Sequence, residues 1–243
     1  MTEFTDDPLL DGRVTVRQPA RGYRAAIDPV LLAAAARAET GMRVLDAGCG
    51  TGAAMFCLAA RIPGLSLAGV EVQPMLAGYA RDGVIMNKLE GQARVFEGSI
   101  TEPPADFLAS FDVVITNPPY GSGGTPPPDP SLAIAHMEGD VDLVQWLAVC
   151  MALAKPKGRV VVIHRADRLS DILAILRTSC GDIRVLPVHP KAKEPARRVI
   201  VDAGKERKTP DTILPGFILH ESDGRFTAAA NDILRGGAAL TTV

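Results

Sequence analysis

Two short stretches hold residue types that could do chemistry together. In the first, Phe111 to Tyr120, the β-branched apolar run Val113-Val114-Ile115 leads into Asn117-Pro118-Pro119-Tyr120. Such a run has the composition of a strand buried on both faces. Two consecutive prolines supply no amide donors and cannot extend a sheet, so the strand must stop there. Asn117, Pro118 and Tyr120 then present a side-chain amide, a bare carbonyl and an aromatic ring at a strand end, where ligands of open α/β sheets bind. The second stretch, Leu45-Asp46-Ala47-Gly48-Cys49-Gly50-Thr51-Gly52-Ala53, is a glycine-rich strand-to-helix turn, and Glu71-Val72 ends the next strand. A turn of this kind holds a nucleotide-like ligand, and an acid at the second strand end can take a ribose diol.

The glycines alone also fit a dinucleotide, because Ala53 completes G-x-G-x-x-A from Gly48. Asp46 separates the two ligands. A dinucleotide brings a pyrophosphate dianion to this turn, which a carboxylate two residues before the first glycine repels. S-adenosyl-L-methionine brings a sulfonium and an α-ammonium, which the same carboxylate attracts. Opposite and like charges roughly 4 Å apart differ by several kcal/mol at a partly buried site, so Asp46 favours S-adenosyl-L-methionine. A carboxylate here also suits the positive end of the following helix.

The elements that must position these residues alternate. Strands are expected at Arg43–Ala47, Leu65–Glu71, Ala93–Glu97, Phe111–Thr116, Arg159–His164, Ile183–Val188 and Arg198–Ala203. Helices are expected at Gly50–Arg61, Pro74–Lys88, Val141–Ala154 and Leu169–Thr178, the last closed by Cys180-Gly181. The βα order predicts a doubly wound, seven-stranded, mostly parallel sheet, and the helixless last connection makes its final strand antiparallel. Residues 1–40 read as an N-terminal extension and flap ending in an amphipathic helix, with Asp28 as N-cap and Pro29 at the first helical position. Residues 41–243 form the main domain, closing with a hairpin around Asp223-Gly224 and a short capped helix. Gly121 to Pro130 is a loop, expected to border the site.

At 243 residues, 47% hydrophobic and formally −2, the chain has the composition of a globular protein and is no polycation. No apolar run is long enough to span a bilayer, and the acidic start M-T-E-F-T-D-D-P lacks a signal-peptide core. A cytoplasmic protein with no membrane partner is expected. Cys49, Cys57, Cys150 and Cys180 show no C-x-x-C spacing, and His136, His164, His189 and His220 lack ligand spacing, so no metal is expected. Trp146, mid-helix between Val144 and Leu147, reads as core.

Asn117-Pro118-Pro119-Tyr120 resembles the signature of methyltransferases that modify planar nitrogens, such as the exocyclic amine of adenine or the amide of glutamine. Together with Asp46-Ala47-Gly48-Cys49-Gly50-Thr51-Gly52 and Glu71-Val72-Gln73, it is similar to the class I methyltransferases. The resemblance implies that Gly48, Cys49, Gly50 and Gly52 hold the methionine part, that Glu71 and Val72 meet the ribose, and that Gly98, Ser99 and Ile100 flank the adenine. Relatives often carry an acid where Ser99 stands. Asn117 and the Pro118 carbonyl would accept both N–H groups of the amine, restoring its lone pair, while Tyr120 stacks on the ring.

Three further stretches look like the bacterial family that methylates N6 of an adenosine beside the anticodon of valine tRNA: Gln18 to Leu32, Val160 to Leu169, and Ala196 to Val201. That resemblance implies a tRNA partner and puts Tyr23, Arg24 and Asp28 in a flap over the cofactor. Lys191, Lys193, Arg197, Arg198, Lys205, Arg207 and Lys208 crowd the last two strands against Glu194, Asp202 and Glu206, seven cations facing three carboxylates. They form a nucleic-acid-binding surface or a charged, solvated sheet edge. The main rival is a protein-glutamine methyltransferase of the release-factor type, whose usual separate helical domain has no counterpart in the roughly forty residues before the glycine turn. An RNA-binding module with a vestigial fold and an NAD oxidoreductase are the others; the intact Asp46, Glu71 and Asn117 argue against the first of these, and the lack of a proton-transfer constellation against the second.

Overall fold

The computed structural model describes residues 4–21, 24–119 and 142–240. Tyr23, Tyr120, His136 and the expected Gly121–Pro130 loop lie outside the described residues. Residues 1–40 hold more structure than their composition predicts. β1 (Phe4–Leu9) and β2 (Val14–Pro19) pair antiparallel around Leu10, Asp11 and Gly12, all at positive φ. Val14, Val16 and Gln18 of β2 are buried, which is the alternation of a strand with one covered face. The helix that follows, α1 (Asp28–Ala35), is buried from Pro29 to Ala35, so it is an interior helix and not the amphipathic one expected. Its N-cap is Ile27, and Asp28, expected to be the cap, lies inside the first turn.

The main sheet follows the expected winding. β3 (Arg43–Ala47), β4 (Ser66–Glu71), β5 (Ala93–Glu97), β6 (Phe111–Thr116) and β7 (Ala154–Arg165) are parallel. β8 (Cys180–Lys191) and β9 (Arg198–Lys205) complete it, with β9 inserted antiparallel between β7 and β8. The order is β8-β9-β7-β6-β3-β4-β5. The chain leaves β3 toward β4 and β5, then returns to place β6 on the other side of β3. The winding therefore reverses between β3 and β6, and the crevice beyond their carboxyl ends is where ligands bind in such sheets.

Helices cover both faces. α1 and α2 (Ala53–Arg61) pack on one with Val44, Val113, Ile115 and Val161, and the β1–β2 hairpin and α3 (Pro74–Met86) extend this layer. On the other face, α4 (Leu143–Leu153) and α5 (Leu169–Leu176) pack on Leu45, Val114, Val160 and Val162.

One sequence expectation differs. α5 ends at Leu176, and Cys180-Gly181 opens β8 instead of closing the helix. Gly181 serves a close approach: a Cβ there would lie 2.3 Å from the Arg207 carbonyl oxygen. In the tail, β10 (Thr212–Ile213) and β11 (Phe217–His220) extend the sheet in parallel along the outer edge of β8. The hairpin expected around Asp223-Gly224 is present but only one bridge long, His220 to Phe226, flanked by the Glu221 amide donating to the Arg225 carbonyl at 2.8 Å and the Thr227 amide to the Leu219 carbonyl at 2.9 Å. The closing helix α6 (Ala228–Leu234) is capped as expected, Thr227 Oγ1 accepting from the Ala230 amide at 3.1 Å.

Candidate active site

Gly48, Gly50 and Gly52 all have positive φ, at 72°, 54° and 85°, a region that favours glycine over any side chain with a Cβ. Two of the three are also close-packed. A Cβ on Gly52 would sit 2.6 Å from the Phe56 ring and one on Gly48 would sit 2.8 Å from the Trp146 ring. The turn hangs from β4 through the Gly48 and Cys49 amides, which donate to the Val70 carbonyl at 2.9 and 3.0 Å. The Cys49 thiol is buried against Gly69, so this residue shapes the turn from below, and burial raises its pKa well above the usual thiol range.

Asp46 and Glu71 are the two carboxylates beneath the turn, 3% and 6% exposed. Glu71 clamps it directly: Oε2 accepts from the Gly50 amide at 2.8 Å and Oε1 from the Gln73 amide at 3.0 Å. Asp46 Oδ2 accepts from the Met55 amide at 3.2 Å, in the first turn of α2. Burial, opposed by that hydrogen bond and reinforced by the charge of Glu71, pushes the Asp46 carboxyl up to about 7. Two buried acids under one glycine turn can receive a positively charged ligand. Just past Glu71, Val72 and Met75 are 49% and 55% exposed, apolar surface beside that carboxylate.

β6 delivers the other half. Ala47 and Thr116 are register partners, so Gly48 and Asn117, the next residues, leave the sheet side by side. Thr116, fully buried, donates from Oγ1 to the Ala47 carbonyl at 2.8 Å and accepts from the Trp146 Nε1–H at 2.9 Å. Sequence pattern alone assigns neither Thr116 nor Trp146 to the site. A polar residue ending an apolar strand just before the prolines is the one available signal for Thr116.

Past the end of β5, where the adenine is expected, the Gly98 amide donates to the Glu71 carbonyl at 2.9 Å, and Ser99 Oγ lies 2.8 Å from Thr101 Oγ1. Ile100 is 4% exposed and packs into the core, so its side chain supports this segment from within. Arg24 and Asp28, expected in a flap, engage protein partners instead. Arg24 pairs with Asp7 of β1 and donates to Thr5, and Asp28 Oδ2 accepts from Arg198 Nε at 3.0 Å. Gln18 accepts the Ala25 amide and donates to Asp7, fixing the path between hairpin and α1.

The seven basic residues do not form one patch. Lys191, Lys193, Arg197 and Arg198 sit at the β8–β9 turn, on the same sheet edge as Asn117. Lys205, Arg207 and Lys208 lie at the far end of β9, roughly 25 Å away for a strand of this length. Antiparallel β9 is the cause: residues close in sequence run from one edge to the other. Among the described residues, no group of histidine, cysteine and acidic side chains could hold a metal, and no helix is long and apolar enough to cross a membrane.

Residues 27–129 match the family model of the methyltransferase small domain. The chain thus carries a methyltransferase small domain, and its cofactor is S-adenosyl-L-methionine. The methyltransferase is 28% identical over 198 residues to a Porphyromonas gingivalis protein named tRNA1(Val) (adenine(37)-N6)-methyltransferase, spanning 76% of each chain. Its fold is shared with a crystal structure titled a predicted O-methyltransferase, protein Atu636 from Agrobacterium tumefaciens, at TM-score 0.72 and 24% identity over 89% of this chain and all of that one. It is also shared with M. jannaschii TYW2, crystallised with AdoMet, at TM-score 0.61 and 14% identity over 86% and 88% of the two chains. The differing names on one fold mean that the sheet alone does not choose the acceptor atom.

Proposed function

We propose that the methyltransferase moves the methyl group of S-adenosyl-L-methionine to the exocyclic N6 amine of an adenosine in tRNA, acting in the cytoplasm. The observation that carries this is the juxtaposition at the sheet's switch point: the Asn117-Pro118 corner emerges beside Gly48 of the cofactor turn. Asp46 attracts the ligand's positive charges, Glu71 stands at the strand end where an acid takes the ribose hydroxyls, and Val72 with Met75 offers exposed apolar surface at that end. Alternation along β6, carried one residue past its end, puts Asn117 on the side of Ile115 and of its neighbour Asp46.

The amine of adenine is a weak nucleophile because its lone pair is delocalised into the ring. Accepting one N–H at the Asn117 side-chain oxygen and the other at the Pro118 carbonyl draws the nitrogen toward tetrahedral geometry, and Tyr120 would stack on the ring. The nitrogen attacks the methyl carbon, the carbon–sulfur bond breaks toward the sulfonium, and the surplus proton leaves to solvent. Positioning and preorganised dipoles supply the acceleration. A base held in a stem or loop must first be swung out. The relative named for tRNA adenine supports this acceptor over a glutamine amide, and Lys191, Lys193 and Arg197 lie on the edge the RNA would cross.

The test is incubation with labelled S-adenosyl-L-methionine and separate pools of tRNA, rRNA, DNA and protein, followed by nucleoside and amino-acid analysis. N6-methyladenosine from tRNA is expected, with Asn117→Ala lowering turnover roughly 100-fold or more and leaving cofactor affinity within a few fold. Label in glutamine, or unchanged turnover of the variant, would overturn the assignment.

A further inference from the structure

We infer that Trp146 is a positioning residue for methyl transfer: its indole locks the strand end that carries Asn117 to the turn that carries the cofactor. Two independent contacts place it there. The Nε1–H donates to Thr116 Oγ1 at 2.9 Å, and that hydroxyl donates in turn to the Ala47 carbonyl at 2.8 Å. The far side of the ring lies so close to Gly48 that a Cβ there would meet it at 2.8 Å. One rigid side chain thus touches the residue before Asn117 and the first glycine of the turn. The β3–β6 ladder ends at Ala47 and Thr116, so its backbone pairing stops one residue short of Gly48 and Asn117. The indole holds together the two segments where the ladder lets go. α4 supplies the anchorage: Asp142 caps it by accepting the Gln145 amide at 2.8 Å, and Leu147, Cys150 and Leu153 bury its inner face.

Misplacement of reacting groups by about an ångström costs up to about 100-fold in rate, so loosening this lock should appear in turnover before binding. The inference rests on the methyltransferase reading but not on which adenosine is modified.

Trp146→Phe keeps the ring and deletes the donor; Thr116→Val deletes the hydroxyl from the other side. Each is expected to lower kcat roughly tenfold with calorimetric affinity for S-adenosylhomocysteine within about twofold of the parent. The double variant should be no slower than the worse single, as for residues acting through one bond. Unchanged kcat overturns the inference. So does a fall in kcat matched by equal losses in ligand affinity and thermal stability, which is the signature of a merely structural residue. A second arm needs no acceptor. Trp146 is the chain's one tryptophan, so intrinsic tryptophan emission reports this point alone and should change on saturation with S-adenosylhomocysteine. Binding seen by calorimetry with no change in emission would refute the placement of the indole beside the cofactor. No binding at all would sink the methyltransferase reading, and this inference with it.

Discussion

Asp46 carries a conflict that can be read out by pH. Its carboxyl is pushed from 3.8 to about 7 by burial and by Glu71, so the ligand-free native protein holds that proton more tightly than the unfolded chain does. Native stability therefore declines as pH rises from about 4 to about 7 and is flat beyond, a cost on the order of 4 kcal/mol when complete. Asn at this position keeps an acceptor for the Met55 amide and removes the charge. Asp46→Asn should raise the melting temperature of the ligand-free protein, and by clearly more at pH 8 than at pH 5. In the proposed site the same substitution removes the carboxylate that faces the ligand's cations, and it should weaken S-adenosyl-L-methionine by roughly 1–3 kcal/mol. In the parent protein, cofactor affinity should climb as pH passes upward through about 7, where the carboxylate forms, and binding near that pH should release a proton. Equal stabilisation at both pH values, or pH-independent affinity, would show that Asp46 is already ionised without its ligand. Stability and function pull opposite ways at this residue, as they do where a site is organised for a charge it must wait for.

At the scale of elements, the strands that carry the site were legible and their supports were not. Val113-Val114-Ile115 and Val160-Val161-Val162-Ile163 announce buried strands by composition, and the prolines fix where β6 ends. β1, by contrast, reads Phe4-Thr5-Asp6-Asp7-Pro8-Leu9, and its strand exists because tertiary partners accept it. Asn87 at the end of α3 accepts the Thr15 amide and donates to the Thr15 carbonyl, and Arg17 bridges Asp6 to Asp82. Such contacts lie 65 and 72 residues apart, beyond any local pattern. Trp146 hid its role for the same reason, since mid-helix placement is identical for core and for lock. β9 has a support of this hidden kind at the edge away from the site. Arg159 of β7, 6% exposed, donates to Asp202 of β9 at 2.5 Å and to Asp182 of β8 at 2.8 Å, tying three strands with one guanidinium. Arg159→Met strands two acids at that buried edge and should destabilise the fold by about 3–5 kcal/mol in denaturant unfolding. Cofactor affinity should stay put, because the turn lies at the opposite end of the strands. A loss under about 1 kcal/mol would mean that the acids are rescued by Arg37, whose Nη1 is 3.7 Å from Asp202.

Across the whole molecule, topology converts a run of charges into two separate surfaces, and this changes what tRNA should feel. From β6 the sheet steps through β7 and β9 to β8, so the β8–β9 turn lies three strand spacings, roughly 14 Å, from Asn117 on the same edge. Along that edge Lys193 is exposed, and the Arg197 side chain is 76% exposed with Glu194 4.0 Å away, a loose pairing that a phosphate can replace. Arg198 is engaged by Asp28 and is a poorer partner. At the far edge Lys205 donates to the Ala154 carbonyl and Arg207 to the Lys157 carbonyl, roughly 25 Å from the chemistry. Removing one cation that pairs with a phosphate flattens the dependence of log affinity on log salt by about 0.7 for single-stranded and 0.9 for duplex nucleic acid. Lys193→Gln and Arg197→Gln should therefore each weaken tRNA binding and flatten that slope by somewhat under one unit, while Lys208→Gln at the far edge leaves both unchanged. Titrations of tRNA binding against salt decide it. A slope that responds to Lys208 as strongly as to Arg197 would mean that the RNA wraps β9 from end to end, which a substrate approaching only the edge of Asn117 has no reason to do.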